Sequence, residues 1–286
     1  VQEDIFESPE VHSFILQALK EDIKDGDHTT LSCIPETSQG KVKLLFKEDG
    51  VVAGLKLAHL ILEQLDENIN IEFFKTDGDN VKKGETGFIA SGKIHALLMG
   101  ERLLLNCLQR LSGIASMTRM VVDQISPYHS KLLDTRKTTP NFRFLEKWAV
   151  TVGGGFNHRM GLYDMVMLKD NHVDFAGGIT EALLNARDYL VENDLPLKIE
   201  IETRNLDEVK KALSADCADR IMLDNFSPEE ITEALKVIDG KCETEASGGI
   251  TSENIEEYAK TGVDFISMGA LTHSYTSLDM SLKFLQ

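Results

Sequence analysis

A chain of 286 residues with a formal net charge of −17 has room for two domains of ~150 residues, and the wrong sign for non-specific binding to nucleic acid or an anionic membrane. Its 42% apolar residues suffice for real cores. No apolar run reaches the ~18–20 residues of a spanning helix; residues 51–65 come nearest, and Lys56, His59 and Glu63 interrupt them. The opening VQEDIFESPE lacks the basic and apolar regions of a signal peptide. Cys33, Cys107, Cys217 and Cys242 show no CxxC spacing, which suits reduced thiols in the cytoplasm and no disulfide frame or zinc site.

Residues 9–23 space Val11, Ile15, Leu16, Leu19 and Ile23 for one face of a helix, with Pro9 in its first turn. Residues 24–30 read as a polar turn, 41–53 as a strand pair turning at Asp49-Gly50, and 55–66 as a helix. Residues 76–90 have a hairpin pattern, with Asp77-Gly78 and Lys83-Gly84 as turn pairs. Biotinyl and lipoyl carrier domains share such a DGDxVxKG hairpin, but no lysine here is displayed as a carrier needs, so shared β geometry is the better reading. Helical spacing returns at 97–111, where Arg102 and Arg110 lie about two turns apart on one side, the usual place for solvated arginines.

From Lys131 onward a short apolar run alternates with an amphipathic segment. The runs are 131–135, 164–169, 197–202, 220–224, 242–247 and 264–269; helices are expected at 179–193, 206–214, 228–238 and 252–261. Such alternation implies a parallel sheet with right-handed crossovers, and its density favours a barrel over an open doubly wound sheet. GGGFNHRMG precedes a strand, so it is no dinucleotide fingerprint.

Barrel chemistry sits at the C-terminal strand ends. The first two ends gather cations, Arg136, Lys137 and Lys169; the next three carry Glu200 and Glu202, Asp224, and Glu245. Residues 134–172 hold six Lys and Arg against four acids, a positive island in an acidic chain. A solvated basic loop is the plain alternative. Ser247-Gly248-Gly249 and Gly269 follow consecutive strands, where glycine lets backbone N–H groups approach a phosphate; tight turns alone would explain either one singly. Guanidinium forks pair with carboxylates, and isolated acids suit a divalent metal shared with substrate phosphates. A phosphorylated sugar reacting with a polyanionic acid fits all three parts.

DTRKTTP, GGGFNHRMGLYD, LKDNH, LDN, EASGGI and MGALTHS, in this order, resemble the quinolinate phosphoribosyltransferase family, carboxylating nicotinate-nucleotide pyrophosphorylases of NAD biosynthesis; KEDIKDGDHTT (20–30) and ERLLLNCLQRLSGIA (101–115) extend the likeness over nearly the whole chain. The resemblance implies an α/β protein, an N-terminal α/β sandwich over residues 1–112 joined by 274–286, and an incomplete α/β barrel of about seven strands over 113–273. It implies transfer of phosphoribosyl from phosphoribosyl pyrophosphate to quinolinate with loss of CO₂, needing Mg²⁺, in a homodimer or larger oligomer with shared sites.

Position by position, it places Arg136, His158, Arg159 and Lys169 on the quinolinate carboxylates, and Arg102 as offered by a partner subunit. It makes Lys137, Glu202 and Asp224 catalytic, with Glu202 and Asp224 near the ribose and Mg²⁺. Ser247, Gly248, Gly249 and Gly269 would cradle phosphate, with His273 beside them. One departure is Asn141-Phe142 where the family commonly has Gly-Leu; asparagine tolerates positive φ best after glycine. The rivals are a molybdenum-associated paralogue, a nicotinate-using one, whose single substrate carboxylate would not need so many cations, and a non-catalytic binder of phosphorylated metabolites, which has little use for Lys137, Glu202 and Asp224 together.

Overall fold

The computed structural model describes residues 5–285, so the first four residues of the stretch read as lacking a signal peptide lie outside it. Helix α1, Pro9–Ile23, starts on Ser8, whose Oγ accepts the Val11 N–H, and buries Val11, Ile15 and Leu19. Residues 28–30, expected at the end of a polar turn, instead open the short helix α2, His28–Cys33, because Asp27 accepts the N–H groups of Thr29 and Thr30.

Strand β1, Gln39–Phe46, and strand β2, Gly50–Val51, lie where strands were expected but do not pair with each other. After helix α3, Leu55–Leu65, come β3, Asn70–Phe73, β4, Asn80–Val81, and β5, Thr86–Lys93. β1 joins an antiparallel sheet of order β12-β1-β5-β3, whose strand β12, Met280–Leu285, comes from the end of the chain, while β2 pairs with β4. The expected 76–90 hairpin is therefore not one. Its Asp77 serves α3 instead, accepting the N–H groups of Gly54 and Leu55 at 2.7 and 2.9 Å.

Helix α4, Ile94–Ile125, runs well beyond the expected 97–111, and residues 112 and 113 lie inside it. Strand β6, Lys131–Leu133, and helix α5, Arg143–Val152, follow. The chain divides into two compact units: residues 1–119, 140–154 and 275–286, and residues 120–139 and 155–274. The positive island is thereby split, since Arg143 and Lys147 belong to α5 of the first unit. Lys147 is fully buried there, and Glu146 takes the Arg110 guanidinium. Arg110 is thus no solvated partner of Arg102, which is exposed. Gly153 owes its identity to packing: a Cβ would sit 2.5 Å from Thr118 Cβ. Asn141 adopts φ 60°, the left-handed conformation.

The second unit continues with β7, Val166–Leu168, α6, Asp170–Ala176, α7, Ile179–Glu192, β8, Ile199–Thr203, α8, Leu206–Ala215, β9, Arg220–Asp224, α9, Pro228–Ile238, β10, Glu243–Ser247, α10, Ile255–Ala259, β11, Phe265–Ser267, and α11, Ala270–His273. Six parallel strands pair in the order β6-β11-β10-β9-β8-β7. Phe156 adds a parallel bridge to Leu133 outside β6, a seventh short segment of a barrel that stays incomplete. Ser227 caps α9 reciprocally with Glu230, as its sequence suggested. α10 begins three residues later than expected, so the 248–249 glycines do not lead straight into its first turn.

Candidate active site

The C-terminal strand ends of the second unit open on a cavity of about 630 Å³. Arg136 and Lys137 enter it after β6, His158 and Arg159 after the Phe156 bridge, and Lys169 after β7. Glu202 of β8 and Asp224 of β9 face it from the middle, and Ser247, Gly248 and Gly249 from the end of β10. Gly269 and His273 are not among its lining residues, although Gly269 lies against Lys137. His273 is exposed beside Ser274 Oγ. Arg102 belongs to the other unit.

Local hydrogen bonds set each group. Asp134, fully buried, accepts from His158 N–H at 2.9 Å and from Asn157 Nδ2 at 2.6 Å, which fixes the turn carrying His158 and Arg159. Asp164 accepts the N–H groups of Met160 and Gly161 and closes the same loop. The Arg159 Nη1 donates to Met165 O at 3.2 Å. Lys169 N–H donates to His172 Nδ1 at 2.9 Å. At the glycine end Gly248 and Gly249 take φ 92° and 64° in succession, a backbone that presents N–H groups to an anion. A Cβ on Gly248 would lie 2.3 Å from Asn225 Oδ1, so glycine is required there twice over.

The cationic end is built for an anion. The Nε atoms of Arg136 and Arg159 are buried without a hydrogen-bond partner among the described residues. Burial first, and the neighbouring Arg136 second, pull the Arg159 guanidinium below its usual value. The carboxylates opposite are strained the other way. Glu202 is pushed up by burial and then by Asp224, and Asp224 by burial, against the hydrogen bond it accepts from Asn225 Nδ2 at 2.7 Å. Two half-buried acids that repel each other fit a divalent cation held by one or two carboxylates together with substrate oxygens.

Beneath lies a layer that strand-end reasoning left unassigned. Glu200 and Glu245 are fully buried, with His158 Nε2 3.1 Å from Glu200 Oε2 and 3.5 Å from Glu245 Oε2. Arg220 donates to Glu245 at 2.9 Å and stacks on Phe265 at 4.0 Å. Burial holds both carboxyls up at about 7, against the pull of Arg220. The signal available was the doubled Glu-x-Glu of IEIET and ETEAS, acids at strand period inside buried strands. These three residues bring ligand atoms within 4.8 Å of one another, the geometry of a metal site. The tautomer argues against that use. His158 Nδ1 accepts the Arg159 N–H at 2.7 Å, which leaves the ring proton on Nε2, and Arg220 already supplies the cation.

Comparison with known proteins places the chain in a family. Family models for the N-terminal and C-terminal domains of quinolinate phosphoribosyl transferase match residues 27–112 and 114–283. The chain is similar to the chloroplastic nicotinate-nucleotide pyrophosphorylase [carboxylating] of Arabidopsis thaliana, 45% identical over 96% of this chain and 82% of that protein. It is 44% identical to quinolinate phosphoribosyltransferase [decarboxylating] 1 of Nicotiana glauca, over 93% of this chain and 80% of the relative. The solved nicotinate-nucleotide pyrophosphorylase from Francisella tularensis is 40% identical, covers 100% of both chains and superposes with a TM-score of 0.91. With both domain models matched in order and the fold shared end to end, the chain belongs to the quinolinate phosphoribosyl transferase family.

Proposed function

We propose that this chain transfers the phosphoribosyl group of phosphoribosyl pyrophosphate to the ring nitrogen of quinolinate, with loss of the 2-carboxylate as CO₂, giving nicotinate mononucleotide and pyrophosphate for NAD biosynthesis. The observation that carries the reading is one cavity with two adjacent guanidiniums at one end and a double-glycine loop at the other. Arg136, Arg159 and Lys169 hold the two substrate carboxylates, which a monocarboxylic nicotinate would not require. His158 stands behind them, its ring nitrogens engaged by Arg159 N–H and the buried acids. Ser247, Gly248 and Gly249 receive the 5-phosphate, and Lys137, crossing over Gly269, meets the departing pyrophosphate.

Glu202 and Asp224 face the sugar carbon as positive charge develops there, and they are the residues that would hold Mg²⁺. When bound, the ion would neutralise charge on the pyrophosphate oxygens. Preorganised groups of this kind lower a barrier by about 3 kcal/mol each. Arg102, exposed on α4, is offered to a neighbouring copy in a homodimer or larger assembly. Free cysteines throughout the described residues support a reducing compartment, the cytoplasm, and no described helix is long and apolar enough to cross a membrane. The test is incubation with carboxyl-labelled quinolinate and phosphoribosyl pyrophosphate, with and without Mg²⁺. Metal-dependent CO₂ release in step with pyrophosphate is expected, and folded protein that releases no CO₂ would overturn the reading.

A further inference from the structure

Four ionisable side chains cluster at the base of the cavity, where His158 and Glu245 reach its lining and Glu200 and Arg220 lie behind them. His158, Glu200 and Glu245 are buried and Arg220 nearly so. Burying charge is expensive, and apolar residues of the same volume would often be as stable or more so. A barrel interior that keeps two carboxylates and a guanidinium needs a reason beyond packing.

The geometry supplies one. The Arg220 guanidinium, stacked on Phe265, donates to Glu245 at 2.9 Å and lies 3.9 Å from Glu200. Both carboxylates reach up to His158 Nε2, at 3.1 and 3.5 Å. On its other side the same ring accepts the Arg159 N–H at 2.7 Å, while Asp134 accepts the N–H of His158 itself. The ring is thus hydrogen-bonded at Nδ1 and in close polar contact with both acids at Nε2, and it can take the Arg159 N–H only in the tautomer whose Nε2 proton faces the acids.

We infer that Glu200 and Glu245 are positioning residues for the diacid end of the site, acting through the His158 ring to fix the backbone from which Arg159 projects. Glu200 is not among the residues lining the cavity, and Glu245 reaches the lining only at its base. Their loss frees the ring to turn, the Arg159 N–H loses its acceptor, and the guanidinium departs from the position in which it pairs with a substrate carboxylate. Displacement by about 1 Å is enough for a 100-fold effect in such sites. The inference rests on the assignment of Arg159 to quinolinate made above.

The test is steady-state kinetics of Glu200→Gln and Glu245→Gln, which preserve side-chain volume, with circular dichroism to establish folding. KM for quinolinate should rise about 10-fold or more in each, while KM for phosphoribosyl pyrophosphate and kcat stay within about 3-fold. General loosening of the barrel would move both KM values together, and that result would overturn the proposal. If one variant fails to fold, the other is read alone. A double-mutant cycle with Arg159→Lys adds a second criterion. If the acids act through Arg159, Glu245→Gln costs less in the Arg159→Lys background than in the wild type. Full additivity would sink the route through Arg159. Should Arg159→Lys by itself leave the quinolinate KM unchanged, the diacid assignment falls and the proposal with it. Should it raise that KM while neither glutamine variant does, only the positioning proposal falls.

Discussion

Lys137 crosses directly over Gly269: a β-carbon on the glycine would come within 2.9 Å of Lys137 Cδ and 3.1 Å of His273 Nε2. Lys137 is also tied from its backbone, whose carbonyl accepts Thr272 Oγ1 at 2.8 Å. The first contact is with the far part of a flexible side chain, so a methyl group there displaces the ammonium without breaking the strand. Gly269→Ala should therefore lower kcat by about 10-fold or more while Tm changes by only a few degrees. Unchanged turnover would mean that the position of Lys137 over Gly269 does not matter to the reaction.

Arg159→Ala removes a guanidinium whose Nε is buried and whose Nη1 is anchored on Met165 O. Truncating one partner of a desolvated charge pair costs about 2–5 kcal/mol, so quinolinate affinity should fall by roughly 30-fold to beyond detection. Calorimetry with quinolinate reads this directly. Affinity equal to the wild type would remove Arg159 from the site.

The buried acids make stability fall as pH rises. Glu200 and Glu245 sit at about 7 in the folded chain against an ordinary 4.5, so the folded state binds protons more tightly. Their contribution is complete below about 4.5 and is lost as pH climbs through about 7, on the order of 3 kcal/mol for one such group. Thermal melts from pH 5 to pH 8 should show this decline, and Glu245→Gln should flatten it. Parallel curves for variant and wild type would contradict the assignment.

In the first unit, Arg110 donates through Nε to Glu146 at 2.8 Å, and Glu146 is fully buried. Arg110→Met withdraws the guanidinium from a desolvated carboxylate and should cost about 3 kcal/mol in urea denaturation. Adding Glu146→Gln should recover part of that loss. A neutral single variant would show that other groups carry Glu146 alone.

How far the sequence reached can be judged from these same residues. Helix α1 and the strands from β6 to β11 were legible because their side-chain periodicity is local: Val11, Ile15 and Leu19 recur at one helical face, and the strand ends punctuate the repeat. The cluster of Lys137, Glu202, Asp224 and the 247–249 loop was legible for a related reason, since a barrel sends every strand end to one mouth. Family likeness then named the chemistry.

What the sequence determined by itself was the kind of element at most positions and the identity of the groups at the barrel mouth. Only the tertiary structure decided which neighbours those groups meet. It paired β2 with β4 and turned Asp77 from a hairpin residue into the cap of α3. It divided one positive stretch between two units, burying Lys147 in the first and lining a cavity with Arg136 and Arg159 in the second. It set Glu200 and Glu245, 45 residues apart in the chain, against one imidazole. Pairing and desolvation are set by contacts between distant segments, and no local pattern in the chain encodes them.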